Sequence, residues 1–270
     1  MRRRPKKAHV KEKTIDSLLA KLYEPALAGA RTSFFRASTL DTVLDERIDT
    51  DRLELFFIYF CALGVQMTQP VESWIDRAGR RCTDLGWSDL GRALRMHARH
   101  EADHHLMMID DTRILVQRRN ARLGHSLRAD DILASPPTPG VRRYVQLHEQ
   151  VIAGGTPFAQ LAIEYEIENL SVVYGGKVLQ QFRRRLGDDS LDGMSFLAEH
   201  VAVDVGHTKF NAAELERLLL QFPESADALA EAGTRALEAY AMFLSDCLRL
   251  ADESSFAAPS PRDEAPPPPI

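Results

Sequence analysis

Cysteine is scarce in this chain: Cys61, Cys82 and Cys247 are the whole set among 270 residues. Three scattered thiols cannot frame a disulfide scaffold, and thiolates alone would be too few to hold an iron–sulfur cluster. Their scarcity points to a reducing, cytoplasmic compartment. Long apolar runs are also missing. The longest, Leu53 to Met67, is 15 residues long and contains Glu54 and Gln66, which falls short of the roughly 20 apolar residues that cross a bilayer. There are no alternating runs bounded by hairpin dipeptides, and no Gly-rich phosphate-binding loop for flavin or nicotinamide. Sheet architecture and a resident dinucleotide are therefore not expected.

What is present is enough chain for a sizeable core, with 44% hydrophobic residues against 27% charged. The net charge of −5 conceals an asymmetry, because residues 1–13 carry seven Lys or Arg against Glu12 alone. That basic start has no apolar stretch or small-residue cleavage site behind it, so it reads as a disordered, solvated tail, not a secretory signal. The remaining chain is acidic and has no nucleic-acid reader motif or interleaved aromatics, so no nucleic-acid partner is expected. Residues 251–270 turn to Ala, Ser and Pro, finish in Pro266 to Pro269, and read as a second disordered tail.

Between the tails, residues 14–250 read as a single all-α domain. The 3.6-residue periodicity marks segments near 14–36, 51–67, 70–85, 88–120, 140–153, 157–186, 192–221 and 224–250. The punctuation agrees: Gly154-Gly155 closes one segment, Thr156-Pro157 opens the next, and the run Ser135 to Gly140 is a strong breaker. No repeat period is evident, so a compact bundle fits better than a solenoid.

Six of the nine histidines fall in two clusters. In the first, a helical advance of about 100° per residue puts His97, Glu101, His104 and Met108 within about 60° of arc. Glu101-x-x-His104 is the spacing by which bundle helices present a carboxylate and an imidazole to one metal ion. Taken alone this pattern also suits an exposed polar helix. The second cluster, His200-x3-Asp204-x2-His207, again places three potential ligands on one face, among Val, Ala and Gly. Burying two imidazoles and a carboxylate without partners costs several kcal/mol, a cost that a metal ion or a core His–Asp network removes. Glu199 lies off that face and reads as solvated.

A third helix supplies carboxylates at Glu164, Glu166 and Glu168. Glu164 and Glu168 share a face, where two like charges one turn apart call for a cation or a shared proton. Ser171 and Gly175 on the same face leave room beside them. Glu166 points away and reads as part of a solvated acidic stripe. Cys61 sits in an apolar run and reads as core, and neither Cys82 nor Cys247 has a histidine nearby in sequence.

Together, Glu101-x-x-His104, Glu168 and His200-x3-Asp204-x2-His207 resemble the ligand set of the heme-oxygenase-like diiron oxidases and oxygenases, over roughly residues 51–220. The stretch Tyr165 to Ser171 resembles the family's Tyr-x-x-Glu-Gly-x-Ser motif with Asn169 in place of Gly, which leaves the choice between Glu164 and Glu168 open. The resemblance implies a seven-helix bundle of heme oxygenase type. It also implies two Fe2+ ions held by Glu101, His104, Glu168, His200, Asp204 and His207, with O2 as cosubstrate, a labile second metal site and an external reductant. Family reactions include N-oxygenation, oxidative decarboxylation, C–C cleavage and desaturation of amino acids, amines or carboxylic acids. Arg95, Arg99, Lys177 and Lys209 are candidate holders of a substrate carboxylate.

Two alternatives stand beside this reading: a cofactorless, thiaminase-like enzyme on the same fold, and a non-catalytic metal- or ligand-binding protein. A heme enzyme of that fold would need a proximal histidine on its first helix, and segment 14–36 has none. The partners that fit are a small-molecule substrate, a second copy of the chain and an electron-donor protein. No membrane partner is expected.

Overall fold

The computed structural model describes residues 17–36, 38–124 and 126–257. The basic tail and residues 258–270 lie outside them. The described chain is helical, and no strand is found among these residues. A π turn at Leu19–Tyr23 leads into α1 (Glu24–Phe35), followed by α2 (Ser38–Leu44), α3 (Thr50–Thr68), α4 (Val71–Asp84), α5 (Ser88–Ala98) and α6 (His104–Leu123). The second half holds α7 (Ala129–Leu133), α8 (Pro139–Ala153), α9 (Gln160–Leu170), α10 (Gly176–Leu186), α11 (Ser195–Gln221) and α12 (Ala226–Ala257). The all-α bundle read from periodicity is borne out. α2 and α7 were not expected, since seven and five residues are too few for a period to register.

Local chemistry sets the helix starts. Asp49 caps α3 by accepting from the Arg52 amide at 3.0 Å, and Thr138 with Pro139 opens α8. Segment 157–186 runs as one helical rod in which α9 passes into α10 through a π turn at Ser171–Gly175. Segment 88–120 differs from expectation. It breaks between α5 and α6, where Asp103 takes a left-handed backbone at φ 66°, a conformation that Asp tolerates better than most residues.

The expected start of the C-terminal tail, residue 251, also moves. α12 continues to Ala257 because Pro259 is the first breaker and because its last turns are tied to α3. Arg52 Nε donates to Asp252 at 2.6 Å, and Tyr59 and Ser254 hydroxyls meet at 2.7 Å.

α12 is the central helix, packed against α1, α3, α8 and α9, while α11 lies along α9 and against α6. The approach of α8 to α12 requires Gly140, where a Cβ would stand 2.3 Å from the Phe243 backbone nitrogen. Phe57, Phe60, Phe182 and Phe243 interlock across α3, α10 and α12. Cys61, Cys82 and Cys247 are buried and unpaired. No helix among the described residues is long and apolar enough to cross a membrane.

Candidate metal centre

α11 brings His200, Asp204 and His207 to one face, as its spacing requires. Its N-terminus is held from another helix: both carboxylate oxygens of buried Asp111, on α6, accept from the Ser195 and Phe196 amides at 2.9 Å. This bond satisfies amides that the first turn leaves open. It also locks α11 to the helix that begins with His104. His200 is oriented by a bond from its Nδ1 to the Phe196 carbonyl at 2.7 Å, so Nε2 holds the lone pair.

The break after Ala98 supplies the second set. In an unbroken helix His97 and His104 would stand about 10 Å apart along the axis. Across the turn at 99–103 both still approach Glu101, as their i, i+4 and i, i+3 spacing would also allow on a helix. Glu101 Oε2 lies 3.1 Å from His104 Nδ1, and Glu101 Oε1 lies 3.8 Å from His97 Nε2. Glu101 is therefore placed by a turn, although its spacing to His104 reads as helical.

α9 contributes Glu168, whose Oε2 accepts from Asn211 Nδ2 at 2.7 Å. Its other oxygen, Oε1, lies 3.2 Å from His97 Nε2 and 3.8 Å from His207 Nδ1. Two groups result, each with its potential ligand atoms within 4.8 Å of one another. One is His97, Glu101, Glu168 and His207; the other is Glu101, His104 and His200. Glu101 belongs to both. Asp204 stands at the edge, with Oδ1 3.4 Å from His207 Nδ1 and Oδ2 accepting from Ser171 Oγ.

Among the described residues, five buried atoms here have no hydrogen-bond partner: His97 Nε2, Glu101 Oε1, Glu168 Oε1, Asp204 Oδ1 and His207 Nδ1. Leaving one such atom unpaired costs about 1–3 kcal/mol, so five converging atoms fit a cation. The electrostatics agree. Burial, with the charges of Asp204 and Glu101 beside it, pushes the Glu168 carboxyl well above the carboxylate range. Burial lowers His97, which keeps that imidazole neutral. The hydrogen bond to Glu101 raises His104, and the adjacent Asp204 carboxylate raises His207 against the opposing pull of burial.

The structure brings Glu101, His104, Glu168, His200 and His207 into the two groups, with Asp204 beside them. Glu164 is directed elsewhere: its Oε1 accepts from Gln160 Nε2 at 2.6 Å, and burial, with Glu168 next, pushes its carboxyl up to about 8. His97 is the residue missing from the ligand set read from sequence. Its place on the Glu101 face was visible there, but the bend that aims it at Glu168 was not.

Four other readings are corrected. Glu166 is not solvated; it is 1% exposed and bound by Arg31 Nε at 2.8 Å and Tyr23 Oη at 2.9 Å. Gly175 does not simply leave room, since a Cβ there would stand 2.4 Å from Val201 Cγ2; its smallness lets the π turn press on α11. The flank of α11 is less buried than its Val and Ala content suggested, with Val205 43% exposed. Arg95, Arg99, Lys177 and Lys209 are exposed and none lines the cavity; Arg95 pairs with Asp76.

That cavity, about 160 Å³, is lined by Glu101, Glu164, Glu168, His200 and Asp204 and is otherwise mostly apolar. No protein-family model and no curated protein matches this sequence. Solved structures do match. A domain of unknown function with a heme oxygenase-like fold from Shewanella denitrificans superposes with a TM-score of 0.68 at 20% identity, over 92% of this chain and 98% of that one. A TenA homolog from Pseudomonas syringae pv. tomato superposes with a TM-score of 0.62 at 14% identity, over 86% and 93%. The chain therefore has a heme oxygenase-like fold.

Proposed function

We propose that this protein is a non-heme diiron oxidase or oxygenase that uses O2 on a small molecule, an amine or carboxylic acid being the class it acts on. The observation that carries the reading is the convergence of unpartnered carboxylate and imidazole atoms into two groups that share Glu101. Glu101, Glu168 and Asp204 would offset three of the four positive charges of two Fe2+ ions, and His97, His104, His200 and His207 would offer neutral nitrogens. Iron held there would supply the electrons that activate O2.

The chain's own residues then have distinct roles. The Phe196 carbonyl fixes the His200 tautomer, and Asn211 holds Glu168 so that Oε1 faces the cluster. Glu164 keeps a proton at the cavity wall at neutral pH. The apolar lining excludes water from the reacting end. Electrons for repeated turnover come from an external reductant or electron-donor protein. The buried, unpaired thiols agree with a cytoplasmic setting. They do not favour thiol catalysis, since none lines the cavity and burial raises Cys82 to about 12.

Anaerobic Fe(II) titration tests the reading. Binding should approach two irons per chain, O2 should then oxidise them with a transient visible absorption, and His200→Ala or His207→Ala should abolish that response while helicity is kept. A protein that binds iron without consuming O2 would be a binding protein. One that binds none and still turns over substrate would be a cofactorless enzyme.

A further inference from the structure

The cavity beside the cluster restricts what can reach it. At about 160 Å³ it is comparable to a dry cavity that accommodates benzene. Its other walls include Leu40, Val43, Phe57, Phe60, Val178 and Leu244, and among the described residues no Lys or Arg lines it. An α-amino acid brings a carboxylate and an ammonium together. Burying that pair beside apolar walls is costly unless charged partners meet both ends. Carboxylates are present here for an ammonium, but among the described residues no Lys or Arg is present for a carboxylate.

We propose that the cavity selects its substrate by a compact apolar body, an aromatic ring or a chain of about benzene's bulk, carrying one polar head that faces Glu101, Glu168 and His200. In the metal-free chain a zwitterionic amino acid finds no Lys or Arg partner for its carboxylate among the described residues and is excluded. Whether the head is an amine, acid or alcohol depends on the cluster it faces, so this inference rests on the functional reading for the head alone. Recognition of the apolar body is a property of the metal-free chain.

The test is calorimetric titration of metal-free full-length protein with four probes that share a six-carbon chain: hexanol, hexylamine, hexanoate and norleucine. At least one of the first three should bind tenfold or more tightly than norleucine, and the arm that binds identifies the head. Val178→Trp, which fills the cavity from a partly exposed position, should weaken that probe at least tenfold while circular dichroism stays unchanged. Should that variant fail to fold, Leu40→Phe is the substitute and the same loss is expected. Norleucine binding as tightly as the best probe, no probe binding, or a folded filled variant binding normally would each overturn the proposal. Failure of the iron reading shows instead as absent metal uptake, which this titration does not measure.

Discussion

His97 Nε2 and Glu168 Oε1 lie 3.2 Å apart, joining the last turn of α5 to the last turn of α9, and neither atom has a hydrogen-bond partner. Two buried atoms held this close without a hydrogen bond fit a cation placed between them. Substitution at this pair therefore bears directly on the proposed metal site.

His97→Phe should remove one ligand from the group that contains Glu168 and leave Glu101, His104 and His200 untouched. Iron content after anaerobic loading should fall from about two per chain towards one, since losing even a residue that only orients a ligand typically costs about 10–100-fold in affinity. Atomic absorption on desalted protein measures it. Unchanged iron content would remove His97 from the site.

Glu164 makes the metal-free protein sensitive to alkaline pH. Its folded carboxyl titrates near 8 instead of the usual 4.5, so it contributes stability below pH 4.5 that is lost as pH rises through 8. The slope within that window is at most about 1.4 kcal/mol per pH unit. Glu164→Gln should therefore gain stability over the parent at pH 8 but not at pH 4.5, as read by urea melts at both values. An equal difference at the two pH values would show that Glu164 is ionised in the folded state.

His148 works in the opposite direction. Burial holds its imidazole down to about 3 against a usual 6.5, with Trp74 stacked on it at 4.0 Å and Gln160 at its Nδ1. Its contribution to stability is present above pH 6.5 and is lost as pH falls towards 3. Thermal melts between pH 4 and 7 should show a decline that His148→Phe flattens.

Asp111→Ala should cost about 0.5–2 kcal/mol, the range for a lost helix cap, and should also lower metal affinity because α11 carries His200 and His207. Asp111→Asn keeps one acceptor and should recover part of both. Denaturant melts together with Fe(II) titration separate the two effects.

Gly175→Ala places a methyl group where Val201 Cγ2 stands at 2.4 Å. Overpacking of this kind costs about 1–3 kcal/mol. The π turn should move off α11 and carry Ser171 away from Asp204, so a lower melting temperature and weaker iron binding are expected together.

The sequence by itself determined the helical class, the segment boundaries that Pro and Gly punctuate, and the face of α11, because 3.6-residue periodicity is a local property of the backbone. His200, Asp204 and His207 were legible for that reason, and so was the polar character of Glu101 and His104. Only the tertiary structure decided what those residues meet. The left-handed turn at Asp103 bends the chain where His97 meets Glu168, and a helical wheel cannot show a bend. Glu164 is taken by Gln160 one turn away on the same helix, whereas Glu168 is presented by Asn211, 43 residues away, a partner that spacing alone does not name. Burial decided Glu166, since its partners Arg31 and Tyr23 lie on a helix and a π turn over a hundred residues away. Spacing fixes which side of a helix a residue occupies; packing fixes what stands opposite it.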